Sequence, residues 1–483
     1  MKTLANARPA KVLSALLPAL LLSGCLTAPD YKKPAMAVPA QYRAQLTPTE
    51  ASSIADLPWW GVFADPELQR LIAEGMANNY DIAVATARIE RARALVGVAE
   101  SEGKPQLDYQ LGVGGERSVV SDGRNTKAPI AGTLAALVRA SWELDVWGRI
   151  HHATEAAKAD LMAQQDIRRG VMLTLVADIA TGYFRLLELD RELAIANESS
   201  GVYRQTLDLF SLRFEAGRDN NLPVQRAQAA YDSSRAKIAD LNRAIAQQEN
   251  AISILVGGFP KAIQRGRTLG DQALPATPLG STSEILQRRP DILRAEQSMI
   301  SANEQIGVAV ANFFPRVGLS ALAGGQGLVI SGSDAGFGVW SAALGVAGPI
   351  FSGGRLQSEY RERQAFWDET VADYKRTVIV AFQETSDNLV AQQTLVDRRV
   401  ALESQVVALR RSAELALARY DAGRASYFEV LEAQQQLFPT EDELAQTQRD
   451  QLLAVVNLYK ALGGGWKLKD DEWTKPPAQL AAG

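Results

Sequence analysis

The body of this 483-residue chain is a tandem duplication, and no other feature constrains its fold as strongly. Segments of the two halves match at a spacing of 210 residues, and farther along the chain the spacing becomes 206. The matches at 210 are Asp81-Ile82 with Asp291-Ile292, Ala92 with Ala302, Gly97-Val98-Ala99 with Gly307-Val308-Ala309, and Pro105 with Pro315. The matches at 206 are Arg213 to Arg218 with Arg419 to Arg424, Val224, Ala227 and Gln228 with Val430, Ala433 and Gln434, and Gly257-Gly258 with Gly463-Gly464. Because the order is preserved throughout, residues 58–258 and 283–465 are predicted to be two copies of one structural unit.

Each half follows the same plan. A helical stretch, Glu67 to Ser101 in the first half and Ser283 to Asn312 in the second, ends just before a proline. Segments of alternating apolar and polar residues then predict β-hairpins at 106–147 and 316–350, because a strand turns successive side chains to opposite faces. The first of these segments alternates Leu107, Tyr109, Leu111 and Val113 with Gln106, Asp108, Gln110 and Gly112.

The hairpins fit either of two environments. A soluble β-sandwich shows the same alternation. Strands of about ten residues with aromatic residues near their ends also fit a transmembrane barrel that is apolar outside and polar inside. Four strands are too few to close a barrel, and lipid does not tolerate an open strand edge. Strands in a membrane would therefore require several chains to contribute to one barrel.

A long helical pattern follows each hairpin and predicts coiled-coil helices at 150–256 and 355–462. Apolar residues keep a heptad spacing up to Gly217 in the first half and up to Gly423 in the second, which is typical of packed long helices. Sixty-odd residues at ~1.5 Å per residue reach roughly 100 Å. Each glycine predicts a helix–turn–helix tip with a left-handed residue at the turn. A soluble coiled coil is the alternative.

The amino terminus has the pattern of a signal peptide, residues 1–24. Basic residues precede an apolar run, 12–22, that is too short to span a bilayer comfortably. Leu22-Ser23-Gly24-Cys25 resembles a bacterial lipobox, which would make Cys25 the lipidated first residue of the mature protein. By resemblance to bacterial lipoproteins, Leu26 after the cysteine favours the outer membrane. A chance cysteine behind an ordinary signal peptide is the alternative.

Three further segments lack helical or strand periodicity. Residues 25–57 are predicted to form an extended tether, 259–282 a linker between the halves, and 466–483 a partly disordered tail. The linker and the tail are expected to form a belt around the helices.

The sequence offers no enzymatic or nucleic-acid site. The net charge is -4, without the basic excess that nucleic-acid binding requires. His151 and His152 are adjacent at a predicted helix start, point in different directions, and are expected to be exposed and structural rather than metal ligands. Gly353-Gly354-Arg355 predicts a strand-to-helix turn, not a phosphate-binding loop. We therefore expect no catalytic site, cofactor or metal.

The segment 58–105 resembles the opening of outer-membrane efflux ducts of the TolC/OprM type, in the lipoprotein branch. The residues that carry the resemblance are Pro58-Trp59-Trp60-Gly61-Val62-Phe63-Ala64-Asp65-Pro66-Glu67-Leu68 and Asn78-Asn79-Tyr80-Asp81-Ile82. The two tips also carry the family's Gly, Val and Ala-Gln positions. The resemblance covers nearly the whole chain after Cys25.

This resemblance implies a mainly α fold with transmembrane β-strands, formed by duplication of a hairpin and long helices. The implied assembly is a homotrimer with a twelve-stranded β-barrel, continued by a periplasmic α-helical barrel. It implies a passive exit duct for small molecules in the outer membrane of a Gram-negative bacterium, docked to a periplasmic adaptor and an inner-membrane pump of the RND type. A duct for secreted protein or oligosaccharide is one alternative, and a periplasmic coiled-coil scaffold without a pore is another.

The second tip holds two carboxylates that match the acidic constriction of the family. Glu429 and Glu432 are three residues apart and share one helix face. Three chains would bring them together as rings of negative charge, which favour cations and narrow a pore. A solvated acidic face is the alternative reading.

The first tip departs from this pattern, because Pro223 and Arg226 stand at the corresponding positions. Arg226 would then pair with Glu429 or Glu432 and hold the tips closed. Arg424 would pair with Asp219 or with Asp421 in the same way. Exposed ion pairs contribute only about 0–1 kcal/mol each, which suits a latch that must open.

The turns of the tips are the predicted adaptor-docking surface, formed by Gly217, Arg218, Gly423 and Arg424. The alternative is that these glycines are needed only for the conformation of the turns, and both roles can hold at once. Pro439 lies where continuous helix is expected and where the first half has Ser233. It predicts a kink or a break just above the second tip.

Overall fold

A computed structural model of the chain describes residues 29–43, 53–117, 120–121, 126–127, 130–330, 333–469 and 472–473. The predicted signal peptide, Cys25 and most of the predicted tail lie outside the described residues. The described residues form seven longer helices and a four-stranded sheet, which confirms the predicted mainly helical, duplicated fold. The chain divides into two compact units, the first comprising residues up to Ala35, Arg88–Gln165 and Arg294–Tyr374.

The sheet of the first unit consists of two hairpins that pair with each other. Its strands are β1 (Gln106–Arg117), β2 (Ile130–Leu144), β3 (Arg316–Ile330) and β4 (Ser333–Ala347). They lie in the order β1-β2-β3-β4, and all three pairings are antiparallel. Leu107, Ala140, Ala321 and Ala342 lie opposite one another in turn across the sheet. Directly opposed residues share a face, so the apolar members of the four strands collect on one side.

The histidines at the start of the first long helix differ from the expectation. That helix, α3, spans Arg149–Glu215. His151 is exposed, but His152 is only 2% exposed, and its Nδ1 lies 2.6 Å from Glu304 Oε2. The prediction that both rings are exposed is therefore wrong for His152, because a neighbouring helix covers it and supplies a carboxylate. Among the described residues, no group of three His, Cys, Asp or Glu side chains is placed to hold a metal ion.

Part of the predicted tether lies against helix α5 (Pro290–Ala311) of the first unit. Asn303 Nδ2 donates to the carbonyl oxygen of Pro29 at 2.9 Å. Lys33 Nζ lies 2.6 Å from Glu296 Oε2. These contacts fix the segment without any secondary structure of its own.

The second unit comprises Met36–Ala87, Asp166–Leu293 and Lys375–Gly483. Helices α1 (Pro66–Asn78), α4 (Asn221–Leu255) and α7 (Tyr427–Ala461) belong to it, with the larger parts of α3 and of α6 (Arg355–Asp421). Helices α3 and α6 both have 67 residues, and α4 and α7 both have 35. The core includes Trp59, Leu68, Leu71, Ile72, Met172, Ile179, Tyr183, Leu186, Ile252 and Tyr459. An 18-residue stretch of α3 is apolar enough to cross a membrane, but most of it is buried, as in a core helix.

Each predicted helical stretch before a hairpin is interrupted. In the first half the chain breaks at Asn79, between α1 and α2 (Tyr80–Ser101), and in the second half at Arg289, before Pro290. Both residues adopt an extended conformation, and a following proline disfavours helix at Arg289. Asn79 Nδ2 donates to the carbonyl of Leu255, and Arg289 Nη1 to that of Ala461, at 2.9 and 3.0 Å. The side chains thus cap the helices that end each half.

The glycines after those helices also play equivalent roles. Gly257 and Gly463 have φ angles of 78° and 75°. A Cβ atom at Gly257 would clash with the carbonyl oxygen of Asn78, and one at Gly463 would lie 2.9 Å from that of Arg288. Both positions therefore require glycine, for conformation and for space.

Asp65 holds the linker against the helices of the second unit. Its side chain caps α1 by accepting from the backbone of Glu67, and it also accepts from Arg267 N and Gln272 Nε2 at 2.9 and 2.7 Å. Tyr183 Oη donates to the same carboxylate at 3.1 Å. Burial acts to raise the pKa of Asp65, but these hydrogen bonds outweigh it and hold the pKa below its usual value.

Replacing Gly257 by alanine should destabilise the protein. The left-handed conformation costs about 1–2 kcal/mol for a residue with a Cβ atom, and the close contact with Asn78 adds to this. Gly201→Ala is the matched control, because Gly201 lies in α3 with nothing within 4 Å of an added Cβ. It should gain about 1 kcal/mol of helix propensity. Thermal melting followed by circular dichroism should show a lower Tm for Gly257→Ala only; equal melting of Gly257→Ala and wild type would contradict the packing.

Candidate functional site

The two predicted tips are tight turns of the same geometry. In the first, Gly217 has a φ of 66° and Arg218 N donates to the carbonyl of Arg213 at 2.9 Å. In the second, Gly423 has a φ of 68° and Arg424 N donates to the carbonyl of Arg419 at 2.8 Å. This is the hydrogen-bond pattern of a helix that ends at a left-handed glycine. A Cβ atom at Gly217 or Gly423 would meet nothing within 4 Å, so both turns lie open at the surface.

An aromatic cluster joins the two tips within one chain. Phe210 of α3, Tyr420 of α6 and Tyr427 of α7 pack edge to face, with ring centroids 4.6 Å apart for Phe210 and Tyr427 and 5.4 Å for the two tyrosines. Val430 is fully buried beside them. Such aromatic pairs contribute about 0.5–1.5 kcal/mol beyond the area they bury. The heptad pattern predicts packed apolar residues up to each turn, but it does not indicate that rings of the two tips meet.

Polar atoms of the cluster are paired as well. Thr206 Oγ1 and Tyr427 Oη are 2.6 Å apart, and the Arg213 guanidinium donates to Tyr420 Oη while lying over its ring. Burial raises the pKa of Tyr427 to about 12, although the hydrogen bond to Thr206 acts against it. The phenol therefore remains protonated at physiological pH and serves as a neutral hydrogen-bonding group.

The two candidate gate carboxylates are exposed on one face of α7. Val430 and Leu431 are buried, whereas Glu429 and Glu432 face away from the interior of the chain. Glu429 Oε2 lies 3.5 Å from Arg419 Nη1, and both side chains are about half exposed. For Glu432, the described residues include no ion-pair partner within the chain. The helix thus presents one paired and one unpaired carboxylate at its surface.

The predicted latch pairs are not formed within the described part of one chain. The guanidinium of Arg226 lies over the ring of Phe428, 5.9 Å from its centre, and pairs with neither Glu429 nor Glu432. Arg424 and Asp421 are exposed and likewise form no ion pair with each other there. The carboxylate of Asp219 instead accepts a hydrogen bond from the backbone N–H of Asn220. Glu429 pairs with Arg419 instead of Arg226.

Helix α7 continues through Pro439 without a break. The prediction of a break just above the second tip is therefore wrong, because α7 is one helix on both sides of the proline. Pro439 is exposed and lines a groove of about 800 Å³ between α3, α4 and α7. The proline thus lies on the exposed side of α7 that faces this groove.

Buried charged residues lie where α3 packs against α7. Their burial was not predicted from the sequence. Glu188 is fully buried between Arg449, at 2.8 Å, and Arg185. Burial raises the pKa of Glu188, and the two arginines oppose this effect. One turn along, Glu192 Oε1 accepts from Gln446 Nε2 at 2.8 Å. These residues lie beside the apolar heptad positions. Their charges are evident in the sequence, but nothing in the sequence indicates that they are buried.

Comparison with known proteins places these features in a family. A sequence profile described as "Outer membrane efflux protein" matches residues 71–258 and 282–464, which are the two halves of the duplication. The chain is 35% identical over 471 residues to "Solvent efflux pump outer membrane protein SrpC" of Pseudomonas putida, covering 94% of this chain and 98% of that protein. It is 31% identical over 459 residues to "Cation efflux system protein CusC" of Escherichia coli O157:H7, covering 93% and 97% of the two chains.

A solved structure agrees with these relatives. The open state of the Neisseria gonorrhoeae MtrE outer membrane channel superposes with a TM-score of 0.79 at 27% identity, covering 92% of this chain and 99% of that one. The matches span both hairpins and both tips. The chain therefore belongs to the outer membrane efflux protein family and is an outer-membrane channel of an efflux system in a Gram-negative bacterium.

Proposed function

We propose that the channel is a homotrimer with a twelve-stranded barrel, four strands from each chain, which serves as a passive exit duct. The observation that carries this proposal is the four-stranded sheet, whose outer strands β1 and β4 each have one edge without a partner in the described chain. Backbone groups exposed to lipid cost several kcal/mol each when unpaired. Joining three chains into a closed barrel pairs every edge.

We further propose that the tips form the periplasmic gate. Three chains would bring six carboxylates, Glu429 and Glu432 of each, to one constriction. The exposure of both carboxylates on one face of α7 supports this arrangement. Arg226, Asp421 and Arg424 are exposed near the same tip and have no ion-pair partner among the described residues, so they are free to pair between chains when the gate is closed. Repulsion among the carboxylates then favours opening once those pairs break.

The open turns are the proposed docking surface for a periplasmic adaptor, which in turn connects to an inner-membrane pump of the RND type. Gly217, Arg218, Gly423 and Arg424 are exposed, with no neighbouring atom above either glycine. We expect the cargo to be small molecules or ions delivered by the pump, in keeping with the solvent and cation efflux named for two relatives. A duct for secreted protein or oligosaccharide has no feature here in its favour, and a scaffold without a pore does not fit a family of channels.

Membrane attachment through a lipidated Cys25 completes the proposal. The relative "Probable outer membrane lipoprotein SilC" of Salmonella typhimurium is 30% identical over 453 residues. In this chain the carbonyl oxygen of Pro29, four residues after Cys25, accepts a hydrogen bond from Asn303 of α5. Four residues of extended chain span at most ~14 Å. The acyl group would therefore be held close to α5.

Removing both gate carboxylates should open the channel. Glu429→Ala with Glu432→Ala should raise single-channel conductance in planar bilayers by roughly twofold or more, because the ion pairs proposed to hold the tips of neighbouring chains together are lost. It should also weaken cation preference, because six negative charges leave the constriction. Glu90→Ala with Asp240→Ala removes as many exposed charges away from the tips and should leave conductance unchanged. Wild-type conductance in the first variant would argue against a gate at these residues.

A large side chain at the second turn should disturb docking but not the channel. Gly423→Trp should lower co-purification with a tagged adaptor about tenfold, or about 1.4 kcal/mol, and reduce efflux in cells. Gly423→Asn is the control for backbone conformation, since asparagine tolerates the left-handed region, and it should retain most of both activities. Unchanged single-channel conductance would show that both variants assemble. Full adaptor binding by Gly423→Trp would exclude this turn from the docking surface.

A further inference from the structure

The tether runs along α5 in one direction. Lys33 Nζ lies 2.6 Å from Glu296 Oε2, and the carbonyl oxygen of Pro29 accepts a hydrogen bond from Asn303 Nδ2 at 2.9 Å. Glu296 and Asn303 are about two helical turns apart, and Asn303 is nearer to the end of α5 that leads into β3. The tether therefore approaches the sheet as it runs toward its amino terminus.

The contacts of the tether with α6 show the same direction. Lys33 Nζ lies 5.7 Å from the centre of the Tyr374 ring, and the ring of Tyr31 packs edge to face against Trp367, with centroids 6.1 Å apart. Trp367 lies about two turns closer than Tyr374 to the start of α6, which follows β4. Contacts with two helices thus direct the tether toward the base of the sheet, the end at which its strands join the helices.

The chain between Pro29 and Cys25 has the length needed to reach that base. Pro29 is four residues after Cys25, and four residues of extended chain span at most ~14 Å. The part of α5 from Asn303 to its end at Ala311 is about 12 Å long, given the helical rise per residue. A segment that continues extended in the same direction therefore brings Cys25 level with the beginning of β3.

An apolar groove of about 460 Å³ lies on the sheet near its base. Trp142, Leu319 and Leu344 lie opposite one another across β2, β3 and β4 and line this groove. The next row on the same face consists of alanines, whose small side chains leave space beside the larger ones: Ala140, Ala321 and Ala342. Trp142 and Leu344 are 37% and 64% exposed, so the described residues do not fill the groove.

We propose that an acyl chain carried by Cys25 lies in this groove, against β2, β3 and β4 of its own subunit. The inference rests on the proposed lipidation of Cys25 and adds the surface that the lipid occupies. Leu319 and Ala321 are the fourth and sixth residues of β3. Half of a ~30 Å hydrocarbon core corresponds to about five residues of a tilted strand, so these positions lie in the half of the bilayer next to the helices.

Tethering gives this acyl chain an advantage over a free phospholipid. Lipid tails are as apolar as leucine side chains, so an acyl chain that leaves the bilayer for the groove gains little from the hydrophobic effect. The contacts of the tether with α5 and α6 hold Cys25 near the groove and so raise the effective concentration of its acyl chain there. The favoured occupant is therefore the lipid of this chain rather than one from the bilayer.

Photo-cross-linking in cells tests the site. Cells grown with a fatty acid that carries a diazirine within its chain would place the label both on phospholipids and on acylated Cys25. After irradiation, the purified channel is digested and its fragments are identified by mass spectrometry. We expect the amino-terminal lipopeptide to be joined to a fragment that contains residues 140–142, 319–321 or 342–344.

A variant that fills the groove provides the matched comparison. Ala321→Leu should lose most of this cross-link, because the larger side chain occupies the space of the acyl chain. Ala323→Leu is the control, since it lies two residues farther along β3 on the same face and does not line the groove. Both variants should keep an acylated Cys25 and the oligomeric state of the wild type in native mass spectrometry. Ala342→Leu replaces the first variant if that one does not fold.

The outcomes separate this inference from the lipidation itself. If Cys25 is acylated but its lipopeptide is joined only to fragments outside the groove, the site is wrong and the lipidation stands. Phospholipid instead of the lipopeptide on the groove fragments would assign the groove to bulk lipid, and a cross-link between two subunits on a denaturing gel would assign it to the neighbour's acyl chain; either result would overturn the proposal. Equal cross-linking in Ala321→Leu and the wild type would do the same. An amino-terminal peptide without an acyl group would overturn the lipidation and the site together.

Discussion

The backbone N–H and C=O groups along the outer edges of β1 and β4 have no partner within the described chain. A four-stranded sheet can tolerate two open edges in water, where solvent satisfies them, but not in lipid. An outer-membrane channel built from this chain must therefore close its sheet with other copies.

The duplication is visible in the sheet, where each hairpin is one copy of the same unit and β2 of the first copy pairs with β3 of the second. The equivalence extends into the helices: Asn79 and Arg289 cap corresponding helix ends, and Gly257 and Gly463 pack against corresponding backbones. These shared contacts are backbone contacts or caps, which tolerate sequence divergence between the halves. The differences lie at the tips, where α7 carries carboxylates and α4 does not. The two halves thus differ at the tips that we propose as the gate.

Inside each chain, the tips are held by contacts that differ from those expected. The aromatic cluster of Phe210, Tyr420 and Tyr427 and the ion pair between Arg419 and Glu429 join the two tips of one chain. Arg226, Glu432 and Asp421 remain at the surface. Movement of the proposed gate would therefore involve both tips of a chain together.

The duplication, the hairpins, the long helices and the glycine turns are predictable from the amino-acid sequence, because each depends on a periodic or local pattern of residues. The sequence also located Glu429 and Glu432 on one helix face, since a spacing of three residues decides that. Three contacts became visible only in the folded chain: His152 is buried against Glu304, Glu188 lies between two arginines, and Arg419 rather than Arg226 pairs with Glu429. The physical reason is that burial and ion pairing depend on which helix lies alongside and at what height. A heptad pattern fixes the buried face of a helix but not the neighbour that covers it.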